Sequence, residues 1–222
     1  MNFKAVIFDF NGTLFFDNDK HVLAWGKISQ ILRGHDVTLD ELMNKINGVP
    51  NKEVVNYFLD GKASAGQMEK YSYLKEEYYR DFCRKDTDSF HLVYGAVEFF
   101  DYLKNKDIPF TIASASIKPN IDFFVESFDL DNWMNPEDIV YDDGTFSSKV
   151  KMFEKASEIL DTPMKDILVI EDSYSGVQSA LKAGCDKIII IDSADQSKRF
   201  SSIPEVKYIL DDFTEIIPAI EK

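Results

Sequence analysis

Short apolar runs rich in β-branched and aromatic residues recur at 5–8, 110–113, 167–170 and 187–191, and each reads as a buried strand. Between them lie segments with the 3.6-residue apolar period of amphipathic helices, at 97–105, 121–128, 151–160 and 175–183, the last followed by Gly184 as a C-cap. Strand alternating with helix predicts an α/β fold with a parallel, Rossmann-like sheet. The stretch 16–85 breaks this alternation. Helical patterns at 22–32, 39–46, 52–59 and 68–82 follow one another there without a strand, separated by turn signals at Asn47-Gly48-Val49-Pro50 and Asp60-Gly61. The expected organisation is a first core piece over 1–15, an all-helical insert over 16–85, and the remaining core over 86–222.

Composition narrows the functional classes. Of 222 residues, 45% are hydrophobic and 29% charged, as in globular chains that fold without metals or disulfides. Lys and Arg total 25 against 39 Asp and Glu, a net charge of −14 that repels nucleic-acid backbones and anionic lipid. Cys83 and Cys185 stand far apart with no zinc-ligand spacing, and the apolar run before Asp9 is too short for a signal-peptide core or a membrane span. A cytoplasmic protein, monomeric, with a small-molecule partner and neither nucleic acid nor membrane, is the expectation.

In open parallel sheets ligands bind beyond the carboxyl ends of the strands, so the polar residues following each apolar run carry the candidate chemistry. The first strand ends Phe8-Asp9-Phe10-Asn11-Gly12-Thr13, a carboxylate followed by a turn and a hydroxyl. Asp9, ionised at neutral pH, needs no general base to attack phosphorus, although Asp-x-Asn-Gly is also ordinary turn chemistry. The second strand ends in Ser114-Ala115-Ser116, with Lys118 and Asn120 near a helix start, where hydroxyls and backbone N–H groups can hold phosphate oxygens or simply cap the helix. A fully apolar strand then ends in Glu171-Asp172, adjacent acids that repel unless a cation lies among them, and Mg²⁺ favours such oxygen ligands. Lys149 or Lys151 precedes that strand and could neutralise a transferring phosphoryl group.

In this order the motifs resemble the haloacid dehalogenase superfamily, and the resemblance spans essentially the whole chain. The pattern of a strand ending Asp-x-Asp-Gly-Thr, a Ser/Thr-tipped strand, a lysine and an acidic pair is similar to Asp9 to Thr13, Ser114, Lys149 and Glu171-Asp172. His21 and Trp25, Gly48, the Ser114-Ala115-Ser116 triplet and Glu171-Asp172-Ser173 with Gly176 resemble the β-phosphoglucomutase-like branch, in which the helical insert is a cap closing over the site.

The resemblance implies a Mg²⁺-dependent phosphatase acting on a small phosphorylated metabolite such as a sugar phosphate. Asp9 would be the nucleophile, and Asp9, Asn11, Glu171 and Asp172 the metal set. Thr13, Ser114, Ala115, Ser116, His21, Trp25 and Gly48 would contact substrate or phosphate, with Lys149 stabilising the phosphoryl oxygens. Asn11 departs from the pattern: an amide stands where most family phosphatases carry a proton-shuttling aspartate, which implies slow turnover. Two alternatives follow, an attenuated phosphate-binding or regulatory protein and a sugar-phosphate mutase. The mutase branch has a cap arginine after the glycine turn, whereas Asn51-Lys52 follows Pro50 here. The phosphonatase branch needs a cap lysine, for which Lys52 and Lys75 are the candidates.

Overall fold

The computed structural model describes residues 1–192 and 197–222. The chain divides into two compact units, one formed by Met1–Phe16 with His91–Lys222 and the other by Asp17–Phe90.

The first unit is built on six parallel strands, β1 (Ala5–Phe8), β2 (Phe110–Ile117), β3 (Val140–Asp142), β4 (Ile167–Glu171), β5 (Ile188–Ile191) and β6 (Val206–Leu210). Their order in the sheet is β3-β2-β1-β4-β5-β6, so the winding direction reverses at β1. Such a reversal opens a crevice at the carboxyl edge, which is where a doubly wound sheet binds ligands. Sequence pattern locates four of these strands. The edge strands β3 and β6 are added by the structure, and β2 continues through Ser114-Ala115-Ser116 to Ile117 instead of ending with its apolar run.

Side-chain alternation along β1 feeds two apolar layers. Ala5 and Ile7 join a core with Met152, Phe153 and Ala156 of one helix and Val177 and Ala180 of another. Phe8 points the other way and meets Phe99, Phe100, Phe110 and Phe213 with ring centroids 5.2–6.1 Å apart.

The second unit holds α1 (Asn18–Arg33), α2 (Leu39–Glu41), α3 (Asn51–Phe58) and α4 (Ala65–Lys85), packed around Trp25, Ile28, Ile46, Val54, Val55 and Phe58. Capping boxes at Thr38/Glu41 and Ser64/Gln67 start α2 and α4 by satisfying end N–H groups. The segment 39–46, a single helix by periodicity, is one short α-turn followed by a π-helical turn over Leu42–Ile46. The connection after α4 belongs to this unit, because the buried Lys20 ammonium binds Asp86 at 2.6 Å and Ser89 at 2.9 Å.

The first unit's helices are α5 (Ala96–Asn105), α6 (Lys118–Phe128), α7 (Lys149–Ile159), α8 (Tyr174–Lys182), α9 (Ser197–Phe200) and α10 (Ile216–Glu221). Gly184 sits just past α8 in the left-handed region at φ 96°, where its N–H bonds the Leu181 carbonyl. No helix among the described residues is long and apolar enough to cross a membrane.

Phe8 is fully buried among four aromatic rings, so Phe8→Ala leaves a cavity that rigid neighbours refill poorly. Equilibrium urea unfolding is expected to show a loss of ~3–5 kcal/mol, and a loss under about 1 kcal/mol would mean that this face of the sheet is not a packed core.

Candidate active site

The site grows from the ends of three neighbouring strands. Just past β1 the Asp9 N–H still donates to the Ile170 carbonyl of β4, at 2.9 Å, so the Asp9 carboxylate leaves the sheet beside Glu171. The chain then turns within a few residues. The Phe10 carbonyl accepts from the N–H groups of Thr13, Leu14 and Phe15, while the Phe10 ring stacks on Phe124 at 4.1 Å and anchors the loop. Gly12 has φ 77°, and a Cβ on it would fall 2.3 Å from an Asp172 carboxylate oxygen. The turn therefore needs glycine both for its backbone and for the approach of that side chain. Thr13 is fully buried on the loop, and its Oγ1 has no hydrogen-bond partner among the described residues. Such an orphaned hydroxyl is costly unless a ligand oxygen completes it.

Glu171 ends β4 with its side chain wholly buried. Its Oε2 accepts from the N–H groups of Asp172 and Ser173, at 2.9 and 2.7 Å, and from the Ser173 hydroxyl at 3.0 Å. Ser173 also caps α8 by accepting the Gly176 N–H at 3.0 Å. A Cβ on Gly176 would overlap Glu171 Oε1 at 1.7 Å, so the first turn of α8 must be bare there.

Lys149, the first residue of α7, completes the cluster. Its Nζ donates to Asp9 Oδ1 at 2.8 Å and to Glu171 Oε1 at 2.5 Å. Lys151 lies on the exposed side of α7 and pairs with Glu154 at 2.6 Å, so of the two candidate lysines the structure brings only Lys149 to the carboxylates. Burial, opposed by Lys149 and abetted by Glu171, pushes the Asp9 carboxyl up to about 7, so the full ionisation at neutral pH expected from an ordinary aspartate does not hold in this pocket. Burial pulls Lys149 down, but Asp9 and Glu171 together outweigh it and hold its ammonium above the usual lysine range. Carboxylate oxygens of Asp9, Glu171 and Asp172 all lie within 4.8 Å of one another. Three carboxylates against one ammonium leave an excess of negative charge on an all-oxygen donor set, which fits a hard divalent cation.

From β2 come two hydroxyls. Ser116 Oγ donates to Asn11 Oδ1 at 2.7 Å, Ser114 Oγ to the same atom at 3.3 Å, and the Ser116 N–H donates back to Ser114 Oγ at 3.2 Å. Ser114 is buried and Ala115, between them, is exposed.

The remaining sequence candidates lie in the helical unit. His21 stacks flat on Tyr79 with centroids 4.1 Å apart and accepts from Lys75 Nζ at its Nδ1, at 2.7 Å. That leaves the Nε2–H to face Asp17 Oδ2 at 3.4 Å. Tyr79 donates its hydroxyl to the same Asp17 oxygen, and burial with that negative neighbour raises its pKa well above the usual phenol value. Lys75 is buried, also donates to Glu76 Oε1 at 2.9 Å, and Asn51 Nδ2 donates to that same oxygen at 2.6 Å. Trp25 packs edge-on against Phe58, and Gly48 forms an exposed turn at φ 74°, where a Cβ would meet nothing within 4 Å. Of this network, sequence reading singles out His21 but not Asp17, Glu76 or Tyr79, and it names Lys75 only as one of two lysines. The signal was faint: Asp17 and His21 are four residues apart, as are Lys75 and Tyr79, which places each pair on one helical face.

Comparison with known proteins agrees with this architecture. Two curated relatives are each 23% identical to the chain: hexitol phosphatase A of Escherichia coli (strain K12), over 96% of this chain and 94% of the relative, and a phosphorylated carbohydrates phosphatase of Thermotoga maritima, over 83% of each. A crystal structure of a HAD hydrolase, family IA, variant 3, from Entamoeba histolytica superposes with a TM-score of 0.89 at 32% identity, covering 99% of this chain and 100% of that one. The model of the haloacid dehalogenase-like hydrolases matches residues 6–190, a span that runs from the first strand past the acidic pair to the fifth. With the loop after β1, the Ser114 strand end, Lys149 and the acidic pair all inside that span, the chain belongs to the haloacid dehalogenase-like hydrolase family.

Proposed function

We propose that this hydrolase is a Mg²⁺-dependent phosphatase of small phosphorylated metabolites, sugar phosphates among them, working through a phosphoryl group carried on Asp9. The observation that carries the reading is the Lys149 bridge between Asp9 and Glu171, beside Asp172, at the crevice where the sheet reverses. The names of the two curated relatives, both phosphatases of phosphorylated polyols or carbohydrates, support the substrate class.

Asp9, Asp172 and the backbone carbonyl of Asn11 would hold the metal, with Glu171 behind them. When bound, the ion supplies neutralising charge to the phosphoryl oxygens. An Asp9 oxygen attacks phosphorus in line with the leaving oxygen, and water later cleaves the acyl phosphate so formed. Lys149, anchored to Asp9 before the reaction, is positioned to meet the negative charge that spreads over the phosphoryl oxygens. Thr13 and Ser114 would bring hydroxyls to the same oxygens, and phosphate would complete the Thr13 hydroxyl, which has no hydrogen-bond partner among the described residues. The helical unit, inserted directly after the nucleophile loop, takes the part of a substrate-selecting cap, with His21, Trp25, Gly48 and Lys75 as its candidate contacts.

Phosphate release from a panel of sugar phosphates should require Mg²⁺, stop with a chelator, and fall in Asp9→Asn by on the order of 10³-fold or more. Metal-independent release, or release that survives Asp9→Asn, would refute the nucleophile assignment. Lys149→Ala should cost roughly 10²–10³-fold in kcat, while Lys151→Ala, at a lysine paired with Glu154 on the exposed side of α7, should leave kcat near its starting value; equal effects would remove Lys149 from the site. Gly176→Ala forces the Glu171 carboxylate out of place and is expected to weaken Mg²⁺ activation by about 10–100-fold, read as a shift in the Mg²⁺ concentration for half-maximal rate. An unchanged Mg²⁺ dependence would separate Glu171 from the metal.

A further inference from the structure

Asn11 is held, not loose. Two hydroxyls of β2 enter its Oδ1, Ser116 at 2.7 Å and Ser114 at 3.3 Å, and this arrangement turns the nitrogen end of the amide away from β2. An amide nitrogen donates a hydrogen bond but releases no proton at neutral pH. The other ionisable side chains joined in this part of the core unit are already occupied. Lys149 binds two carboxylates, and Glu171 is wrapped by Lys149, Ser173 and two backbone N–H groups. Asp9 is the nucleophile, and Asp172 stands in the acidic cluster with both. A leaving oxygen in this site therefore departs with its electron pair and without a proton from position 11.

We infer that the site selects its substrates by the leaving group, favouring those that depart as stable anions: acyl phosphates first, then aryl phosphates and phosphate on an anomeric carbon, and last phosphate on a primary hydroxyl. The inference rests on the Asp9 phosphoryl-transfer reading and refines its substrate class. In the first step a bond forms between an Asp9 oxygen and phosphorus while the bond from phosphorus to the leaving oxygen breaks, and the electron pair goes to that oxygen. An acyl phosphate then yields a carboxylate, which needs no proton. A primary ester yields an alkoxide, a strong base comparable to hydroxide, which has to be protonated as it leaves. In the second step water bonds to phosphorus, the electron pair returns to Asp9, and the surplus proton passes to phosphate or solvent.

The test is kcat/KM, which reports the first transfer however slow the second, measured with the Mg²⁺-loaded wild type and with Asn11→Asp. The substrates are acetyl phosphate, para-nitrophenyl phosphate, phenyl phosphate, and a hexose phosphorylated at its anomeric or its primary hydroxyl, each corrected for uncatalysed hydrolysis. Across this series the wild type should fall steeply. Asn11→Asp should raise the primary ester by roughly 10²–10⁴-fold, the worth of a general acid, and move acetyl phosphate by less than about tenfold. A shallow wild-type series, or an equal gain for every substrate in Asn11→Asp, would overturn the inference while leaving the phosphatase reading intact. Absence of turnover on all substrates by both proteins would overturn that reading and this inference with it. Should Asn11→Asp fail to fold, the wild-type series decides alone.

Discussion

Two buried carboxylates, Asp9 and Glu171, share the single ammonium of Lys149, and most of the fold around them serves to make that arrangement tolerable. Taking an ion out of water costs several kcal/mol even after relaxation, and mutual attraction offsets it only where geometry is tight and remaining lone pairs are satisfied. The geometry comes from three separate elements. β1 and β4 are adjacent in register, so Asp9 and Glu171 emerge side by side, and α7 begins where its first residue can reach both. Lone pairs are met by the chain itself: Glu171 Oε2 takes three hydrogen bonds from Asp172 and Ser173. Three carboxylates still face one ammonium, so the pocket retains a deficit of positive charge. A core built for stability alone would remove such a deficit, and a buried cluster of this kind is typical of functional sites.

The same constraint explains where side chains are forbidden. Gly12 lies in the loop after β1 and Gly176 in the first turn of α8, yet each leaves room for one member of the acidic pair, Gly12 for Asp172 and Gly176 for Glu171. Other turns in the chain show glycine in the left-handed region with nothing nearby, at Gly34, Gly48 and Gly61, where only backbone conformation is at stake. Gly176 is the reverse case, a helical residue with ordinary backbone whose absent Cβ is what matters. Carboxylate placement is thus written into backbone sterics as much as into the acids themselves.

Much of this was legible in the sequence, and the gaps have physical reasons. Central strands flanked on both faces read as continuous apolar runs, and β1, β4 and β5 stand out for that reason. The edge strands carry a weaker signal: β3 has three residues, and β6 is only partly buried along its length. Polar residues near the sheet's carboxyl edge hide the end of β2, because the serines that hold Asn11 interrupt the apolar pattern while the backbone stays extended. Periodicity distinguishes helix from strand but not an α-turn from the π-turn at Leu42–Ile46. Nor does spacing choose between Lys149 and Lys151, both in the first turn of α7; two positions are about 200° of helix, and that rotation separates the carboxylate cluster from solvent.

The helical unit poses the complementary question of why so small a core buries so many polar groups. Asn51, Glu76, Lys75, His21, Asp17 and Tyr79 form one connected chain of hydrogen bonds, closed between His21 and Asp17 by a polar contact of 3.4 Å. Replacing such a chain with apolar residues is often neutral or stabilising, so stability alone does not explain it. Its geometry is over-determined: the His21 ring is stacked on Tyr79, tied at Nδ1 to Lys75 and faced at Nε2 by Asp17, which fixes its plane and its tautomer. Lys75 is likewise clamped between His21 and Glu76, with the rings of Trp25 and Tyr79 each 5.5 Å from its ammonium. Side chains locked by packing and by hydrogen bonds on helices, instead of on loops, are how a protein presents polar groups with fixed direction. In the core unit Lys149, the first residue of α7, is fixed likewise by its bonds to Asp9 and Glu171. Each of the two units thus holds a network of polar side chains whose directions are set by packing and hydrogen bonding within that unit.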